Sequence, residues 1–198
     1  MNANVDLTNI VLETDCKFDM ATKNDIDKVL EIYNSNSDFL EKHLGASRVS
    51  KEFIANEMEE MKKIGFRSFV IKNSEGNTVG ICDFKIAEEV YLSLLMIDGK
   101  QKRNGLGSRI YSQLEQLFQA EGADRIRIDV VYEDNVVAFW EKQGFIPCEK
   151  IQLEWNGYKS NAIKMVKTIS KWESGVSPPN KKILRNHLCL PACQNTDV

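Results

Sequence analysis

The sequence predicts a mixed α/β fold in one domain, with a parallel βαβ unit set among antiparallel hairpins. Three observations predict it. Residues 90–97, Val-Tyr-Leu-Ser-Leu-Leu-Met-Ile, are apolar on both faces, as a strand covered on both sides must be. A basic, glycine-containing turn, Asp98–Ser108, leads from it into a helical pattern running from Leu106 to Ala120. Arg125–Val131 then alternates, with Ile126, Ile128 and Val130 on one face, and a strand–helix–strand order of this kind makes parallel neighbours.

The remaining elements follow in order. Residues 1–12 read as an extended lead-in and Cys16–Met20 as a first strand. Thr22 opens a helix, with Asp25 three residues on as its capping partner and Ile26, Val29, Leu30 and Tyr33 at helical spacing. Asn34–Ser47 is polar and turn-rich, which predicts a loop. Ser50 caps a second helix whose stripe is Phe53, Ile54, Met58 and Met61, and Gly65 ends it. Phe66–Lys72 and Val79–Ile86 form a hairpin around the turn cluster Asn73–Asn77. Asp83 sits mid-strand, where a solvated face is the expectation and a cationic substrate the alternative. Asp134 or Asn135 caps a short helix ending at Gly144. Phe145–Leu153 and Ala162–Thr168 are the last strands, with a turn at Asn156-Gly157.

Composition sets the outer bounds. The chain has 198 residues, 42% hydrophobic and 28% charged, with a net charge of −3. No global basic field predicts a nucleic-acid partner, and no apolar run of about 18 residues predicts a membrane span. The N-terminus lacks a charged-then-apolar leader pattern, and five cysteines at irregular spacing read as reduced thiols; a cytoplasmic location is the expectation. Two histidines argue against a Ser-His-Asp hydrolase and a His-rich metal site, so no metal is expected. His187, Cys189 and Cys193 resemble metal ligands only superficially. Cys82 and Cys148 read as small buried hydrophobes. From Ser170 the composition shifts to proline and lysine, which divides the chain into a domain over residues 1–169 and a C-terminal tail over 170–198, flexible or docked through Trp172, Ile183, Leu184 and Leu188.

The basic turn carries the first chemistry. Glycines allow close approach of backbone to an anion, and free N–H groups at a helix start point toward it. Lys100, Lys102, Arg103 and Arg109 add positive charge there. Neither a dinucleotide fingerprint nor a Walker A pattern is present.

These residues resemble the Gcn5-related N-acetyltransferase (GNAT) family, over roughly Asp15–Thr168. Three pieces carry the resemblance. They are the glycine motif Lys102-Arg-Asn-Gly105-Leu-Gly107, the apolar strand before it, and Trp140-x-x-x-Gly-Phe145 about 35 residues on. The resemblance implies a three-layer fold with a splayed, mostly antiparallel sheet around the central parallel βαβ unit. It implies acetyl-CoA as co-substrate in the splay and an amine as the other partner. Backbone groups of Leu95, Met96 and Ile97 would meet the pantetheine arm as an added strand does. Lys102, Arg103, Asn104, Gly105, Leu106, Gly107 and Ser108 would hold the pyrophosphate, and Asn135, Phe139 and Trp140 would complete the cofactor side. Lys102 replaces the usual Gln or Arg, Glu133 falls where the family commonly has Asn, and Trp140 stands where many members carry a tyrosine acid. Indole N–H donates a hydrogen bond but supplies no proton at neutral pH.

Transfer to an amine requires loss of the amine's proton, stabilisation of an oxyanion, and departure of a thiolate. Tyr91, Glu89 and Tyr132 are the candidate catalytic residues. Tyr91 falls where family members often carry glutamate, Glu89 shares its face, and Tyr132 ends the next parallel strand, where ligands of open sheets bind. Glu88-Glu89 also reads as a solvated turn, and Phe139 and Trp140 as core. The expected function is N-acetyl transfer to a primary amine of a small molecule or a protein, directly within a ternary complex, by a monomer or homodimer. The alternative is an acyl-CoA-binding sensor or interaction module with little catalysis.

Overall fold

The computed structural model describes residues 16–169. The lead-in at 1–12, the tail at 170–198 and the His187/Cys189/Cys193 group lie outside the described residues.

Among the described residues, seven strands form one mixed sheet: β1 (Cys16–Met20), β2 (Arg67–Asn73), β3 (Thr78–Ile86), β4 (Val90–Ile97), β5 (Arg125–Val131), β6 (Ile146–Trp155) and β7 (Tyr158–Thr168). Their order is β1-β2-β3-β4-β5-β7-β6. All neighbours are antiparallel except β4 and β5. The apolar run 90–97 is the fourth strand of seven, as a strand covered on both faces should be.

Among the described residues, five α-helices make the outer layers: α1 (Ile26–Asn34), α2 (Ser37–Leu44), α3 (Lys51–Lys63), α4 (Leu106–Ala120) and α5 (Asp134–Lys142). The sheet separates two cores. Residues of α1–α3 pack with Val70, Ile81 and Met96 on one face. Residues of α4 and α5 pack with Ile71, Cys82, Phe84 and Ile128 on the other. Thr22 and Asp25 form the expected capping box, and Ser50 accepts from the Phe53 N–H at 3.1 Å. No helix among the described residues is long and apolar enough to cross a membrane.

Four local expectations fail. The segment Asn34–Ser47 is not a loop, because it contains α2; buried Leu40, with Leu44 four residues on, supplies a one-sided apolar contact that its polar composition hides, and Gly45 closes the helix in the left-handed region. Asp83 is buried rather than solvated, since α1 and α3 cover its face of β3. Cys148 is exposed, as are all of residues 146–150 at the start of the edge strand β6, and it is the extra residue of a bulge between Pro147↔Met165 and Glu149↔Lys164. Neither Asp134 nor Asn135 caps α5. Glu133 holds the cap position, without a side-chain capping bond, and pairs instead with Lys42 at 2.5 Å.

Candidate active site

The parallel strands β4 and β5 pair at Val90↔Ile126 and Tyr91↔Arg127 only. Beyond Tyr91 they separate, while β4 stays paired to β3 through Ile97↔Gly80. One edge of β4 therefore faces an opening with its backbone groups unmatched by a strand. Buried backbone groups seek partners, so such an edge is a template for an extended ligand. The β3–β4 register also shifts, from Phe84↔Leu92 to Asp83↔Leu94, which makes Ser93 the extra residue of a bulge beside this opening.

A compact turn continues from β4 to α4. Asp98 caps a short 3₁₀ segment, Gly99–Gln101, and the backbone then enters the left-handed region at Arg103 (φ 65°) and Gly105 (φ 78°). Arg103 and Asn156 are the two non-glycine residues with positive φ among those described; Asn156 lies in the β6–β7 turn. A residue held in this region costs free energy that its surroundings must offset, and such outliers cluster at binding sites. The Leu106 N–H donates to Asn104 Oδ1 at 3.0 Å and the Arg109 N–H to Gly105 O at 3.1 Å. Between them the N–H groups of Gly107 and Ser108 have no backbone acceptor among the described residues. Gln143 Nε2 donates to Ser108 Oγ at 3.1 Å, which ties α5 to this turn. Lys100, Lys102 and Arg103 join no ion pair among the described residues, and Arg109 donates to Asn104 O.

Gly107 is not required by the protein's own packing. Its φ is not positive, and a Cβ there would meet Phe139 Cζ at 3.7 Å and Ile97 Cγ1 at 3.8 Å, ordinary contacts. The missing side chain leaves space between the end of β4, the start of α4 and the Phe139 ring. Free N–H donors, positive charge and that space match the chemistry of a phosphate-type anion.

The helix α2 spans the other face of the opening. At its start Asn36 Nδ2 donates to Ile97 O at 3.1 Å, and Ser35 Oγ accepts from the Gly99 N–H at 2.9 Å. At its end Lys42 pairs with Glu133 beyond β5, and the Lys42 carbonyl accepts from Ser160 Oγ on β7 at 2.6 Å. One short helix thus joins the end of β4 to the far side of the splay. Its His43 stacks on Phe39, ring centroids 3.8 Å apart, and lies edge-on to Trp155 at 6.4 Å. His43 Nδ1 is 2.8 Å from Phe39 O. A carbonyl only accepts, so Nδ1 carries the proton and Nε2 keeps its lone pair. Burial holds the imidazole pKa below its usual value, against the opposing influence of Glu133. Trp155, at the tip of the β6–β7 hairpin, donates from Nε1 to Glu57 Oε2 of α3 at 3.0 Å.

The expected catalytic residues do not converge. Tyr91 lies where β4 and β5 are still paired, and its hydroxyl donates to Asp129 Oδ2 at 3.0 Å. Arg127 grips the same carboxylate through Nε at 3.0 Å and Nη2 at 2.6 Å, and lies 4.8 Å from the Tyr91 ring. Burial, followed by the Asp129 charge, holds the Tyr91 phenol well above its usual range. Glu89 pairs with Arg125 at 3.2 Å near the same closed end. Tyr132 stands apart from both, exposed just after β5, with its N–H on Asn161 O at 3.0 Å. On the cofactor side, Leu95, Met96 and Ile97 line the free part of β4, and Lys102–Ser108 form the turn at its end. Phe139 reaches that turn, whereas Trp140 faces inward onto Tyr111 and Phe145, with centroids at 5.4 and 5.3 Å. Asn135 is exposed on the first turn of α5. Asn36, His43 and Glu57 were not among the expected site residues; Leu40, Leu44 and Gly45 were the sequence features that could have exposed α2 and with it His43.

A mixed sheet splayed at its single parallel pair, with a phosphate-type turn at the end of one arm, is a layout that can hold an extended, phosphate-bearing ligand. The sequence profile of the acetyltransferase (GNAT) domain matches residues 35–169, most of the chain, and the chain belongs to this family of acyl-transferring enzymes. Among solved structures, an acetyltransferase from Thermus thermophilus superposes with a TM-score of 0.64 at 19% identity, covering 78% of this chain and 97% of that one. Spermidine N-acetyltransferase from Vibrio cholerae, in complex with CoA and spermine, gives 0.62 at 17% identity over 79% and 97%. The Salmonella typhimurium acetyl transferase that modifies the N-terminal serine of ribosomal protein L7/L12 gives 0.64 at 16% identity over 81% and 98%. At these identities the likeness is one of fold. No curated protein matches the chain.

Proposed function

We propose that this protein is an acetyl-CoA-dependent N-acetyltransferase that passes the acetyl group directly to a primary amine in a ternary complex. The observation that carries the reading is the free edge of β4 running into the start of α4. In this reading the backbone of Leu95, Met96 and Ile97 pairs with the pantetheine arm. Gly105, Gly107 and Ser108 give N–H groups to the pyrophosphate, with Lys102 and Arg103 adding charge. Acetyl-CoA supplies the activated acetyl thioester.

The proton chemistry belongs to the opposite face. The acceptor nitrogen forms a bond to the acetyl carbon as the carbon–sulfur bond breaks; the ammonium gives up its proton and the sulfur leaves as thiolate. His43 Nε2 takes the first proton, since the imidazole is neutral near pH 7 and its other nitrogen is already committed to Phe39. Tyr132 is the proton donor for the thiolate, a role the inward-facing Trp140 indole lacks the acidity to fill. Tyr91 and Glu89 brace the closed end of the sheet. The test is thiol release from acetyl-CoA against a panel of alkylamines, peptides and polyamines. Amine-dependent release supports the reading; acetyl-CoA binding with no release across the panel would replace it with the CoA-binding module.

A further inference from the structure

A cleft separate from the splay lies between α1, α3 and the β2–β3 part of the sheet. It has room for one water-sized group and is partly open to solvent. Asp83 of β3 and Glu57 of α3 line it, together with Tyr33 of α1 and Ser68 of β2. Asp83 is only 9% exposed, yet no ion pair among the described residues involves Asp83 or Glu57. Burial raises both carboxyl pKa values, with the Ser68 hydroxyl opposing the shift at Asp83 and the Trp155 indole at Glu57. Buried carboxylates normally have a cationic partner, because desolvation without one is expensive. The apolar lining includes two unbranched, half-buried side chains, Met58 and Met61, beside the buried Val29, Ile54 and Ile81.

We propose that this cleft is a subsite for a cationic arm of the acceptor: a primary ammonium on an unbranched alkyl chain, its head on Asp83 and Glu57 and its methylenes along Met58 and Met61. An ammonium head is the size of a water and brings three donors, which two carboxylates and the Tyr33 hydroxyl can accept. The subsite lies across β4 from the splay. Asp83 pairs with Leu94, the residue after the Ser93 bulge, so one strand spacing of about 4.8 Å separates it from β4. The proposal rests on the acetyl-transfer reading for the chemistry, but binding of the cation stands by itself.

The test is the melting temperature of the full chain titrated with butylamine, 1,4-diaminobutane and, as a neutral control, 1-butanol, at constant ionic strength. The expected result is a rise with either amine, none with butanol, and loss of the amine effect in Asp83→Asn and in Glu57→Gln. Acetyl-CoA should raise the melting temperature equally in wild type and both variants, which separates this subsite from the co-substrate site and shows that the variants fold. In amine-dependent thiol release, Asp83→Asn should raise KM for the diamine about tenfold or more at unchanged KM for acetyl-CoA. Absence of amine stabilisation in the wild type, or its persistence in both variants, would overturn the subsite whether or not acetyl-CoA binds.

Discussion

The Tyr91 hydroxyl donates to Asp129 Oδ2 at 3.0 Å, across the one place where β4 and β5 are still paired. Asp129 also accepts two bonds from Arg127, and its side chain is only 3% exposed. This part-buried triad sits at the narrow end of the splay, where the pairing of the two strands ends. Tyr91→Phe removes one hydrogen bond to a charged acceptor while Arg127 still satisfies the carboxylate. Urea unfolding should show a loss of about 1–2 kcal/mol, with kcat within about twofold of wild type. A collapsed kcat at normal stability would instead give Tyr91 a part in the chemistry.

Asp83 makes stability depend on pH. Burial raises its pKa from 3.8 to about 6. The folded state therefore holds a proton that the unfolded state releases, so the stabilisation is complete below 3.8 and disappears as pH rises through about 6. Asp83→Asn should be the more stable form at pH 7 in the absence of amine, by up to about 3 kcal/mol, with the difference shrinking toward pH 4. Glu57, Tyr33 and Ser68 face the same cleft, and the raised Glu57 carboxyl leaves a smaller dependence of the same sign in the variant. Denaturant melts at several pH values check both the size and the sign.

Two glycines a few residues apart should respond in opposite ways. A Cβ on Gly99 would run into the Ser35 backbone, so Gly99→Ala should cost about 1–3 kcal/mol of stability. A Cβ on Gly107 meets only ordinary contacts. Gly107→Ala should leave stability within about 0.5 kcal/mol yet weaken acetyl-CoA binding about tenfold, equivalent to about 1.4 kcal/mol. Thermal melts with titrated acetyl-CoA read both quantities from one sample series.

His43 should define the acidic limb of the rate profile. Its pKa is held below 6.5, so kcat/KM should fall only as pH drops past that lowered value, where the imidazole gains a proton. Lys42 depresses the same pKa and Glu133 opposes it. His43→Gln should lower kcat by about 10²-fold or more and erase the limb. An unchanged limb in that variant would assign the proton to another group.

Much of this architecture was legible in the sequence because each element carried its own local mark. The two-sided apolar run of β4, the Ser50 cap, the Asn156-Gly157 turn and the glycine at 105 each dictate a local geometry without reference to the rest of the fold. Features made by distant residues were not legible. The alternation of β3 does not reveal that α1 and α3 cover Asp83. The helix α2 is short, and its cap position is spent on the Ile97 carbonyl rather than on its own backbone. Glu133 turns from its helix to Lys42, a partner far off in the chain. Tyr91 and Glu89 have the residue types of acid–base catalysis, but only the packed sheet shows that Asp129 and Arg125 already occupy them.

The most direct measurement is the amide spectrum of labelled protein titrated with acetyl-CoA. If the free edge of β4 and the start of α4 hold the co-substrate, the N–H resonances of Leu95–Ile97, Gly107 and Ser108 should shift most, while those of Asp83 and Glu57 respond to 1,4-diaminobutane. Tight binding of acetyl-CoA that leaves the Leu95–Ile97 and Gly107–Ser108 amides unmoved would contradict the account.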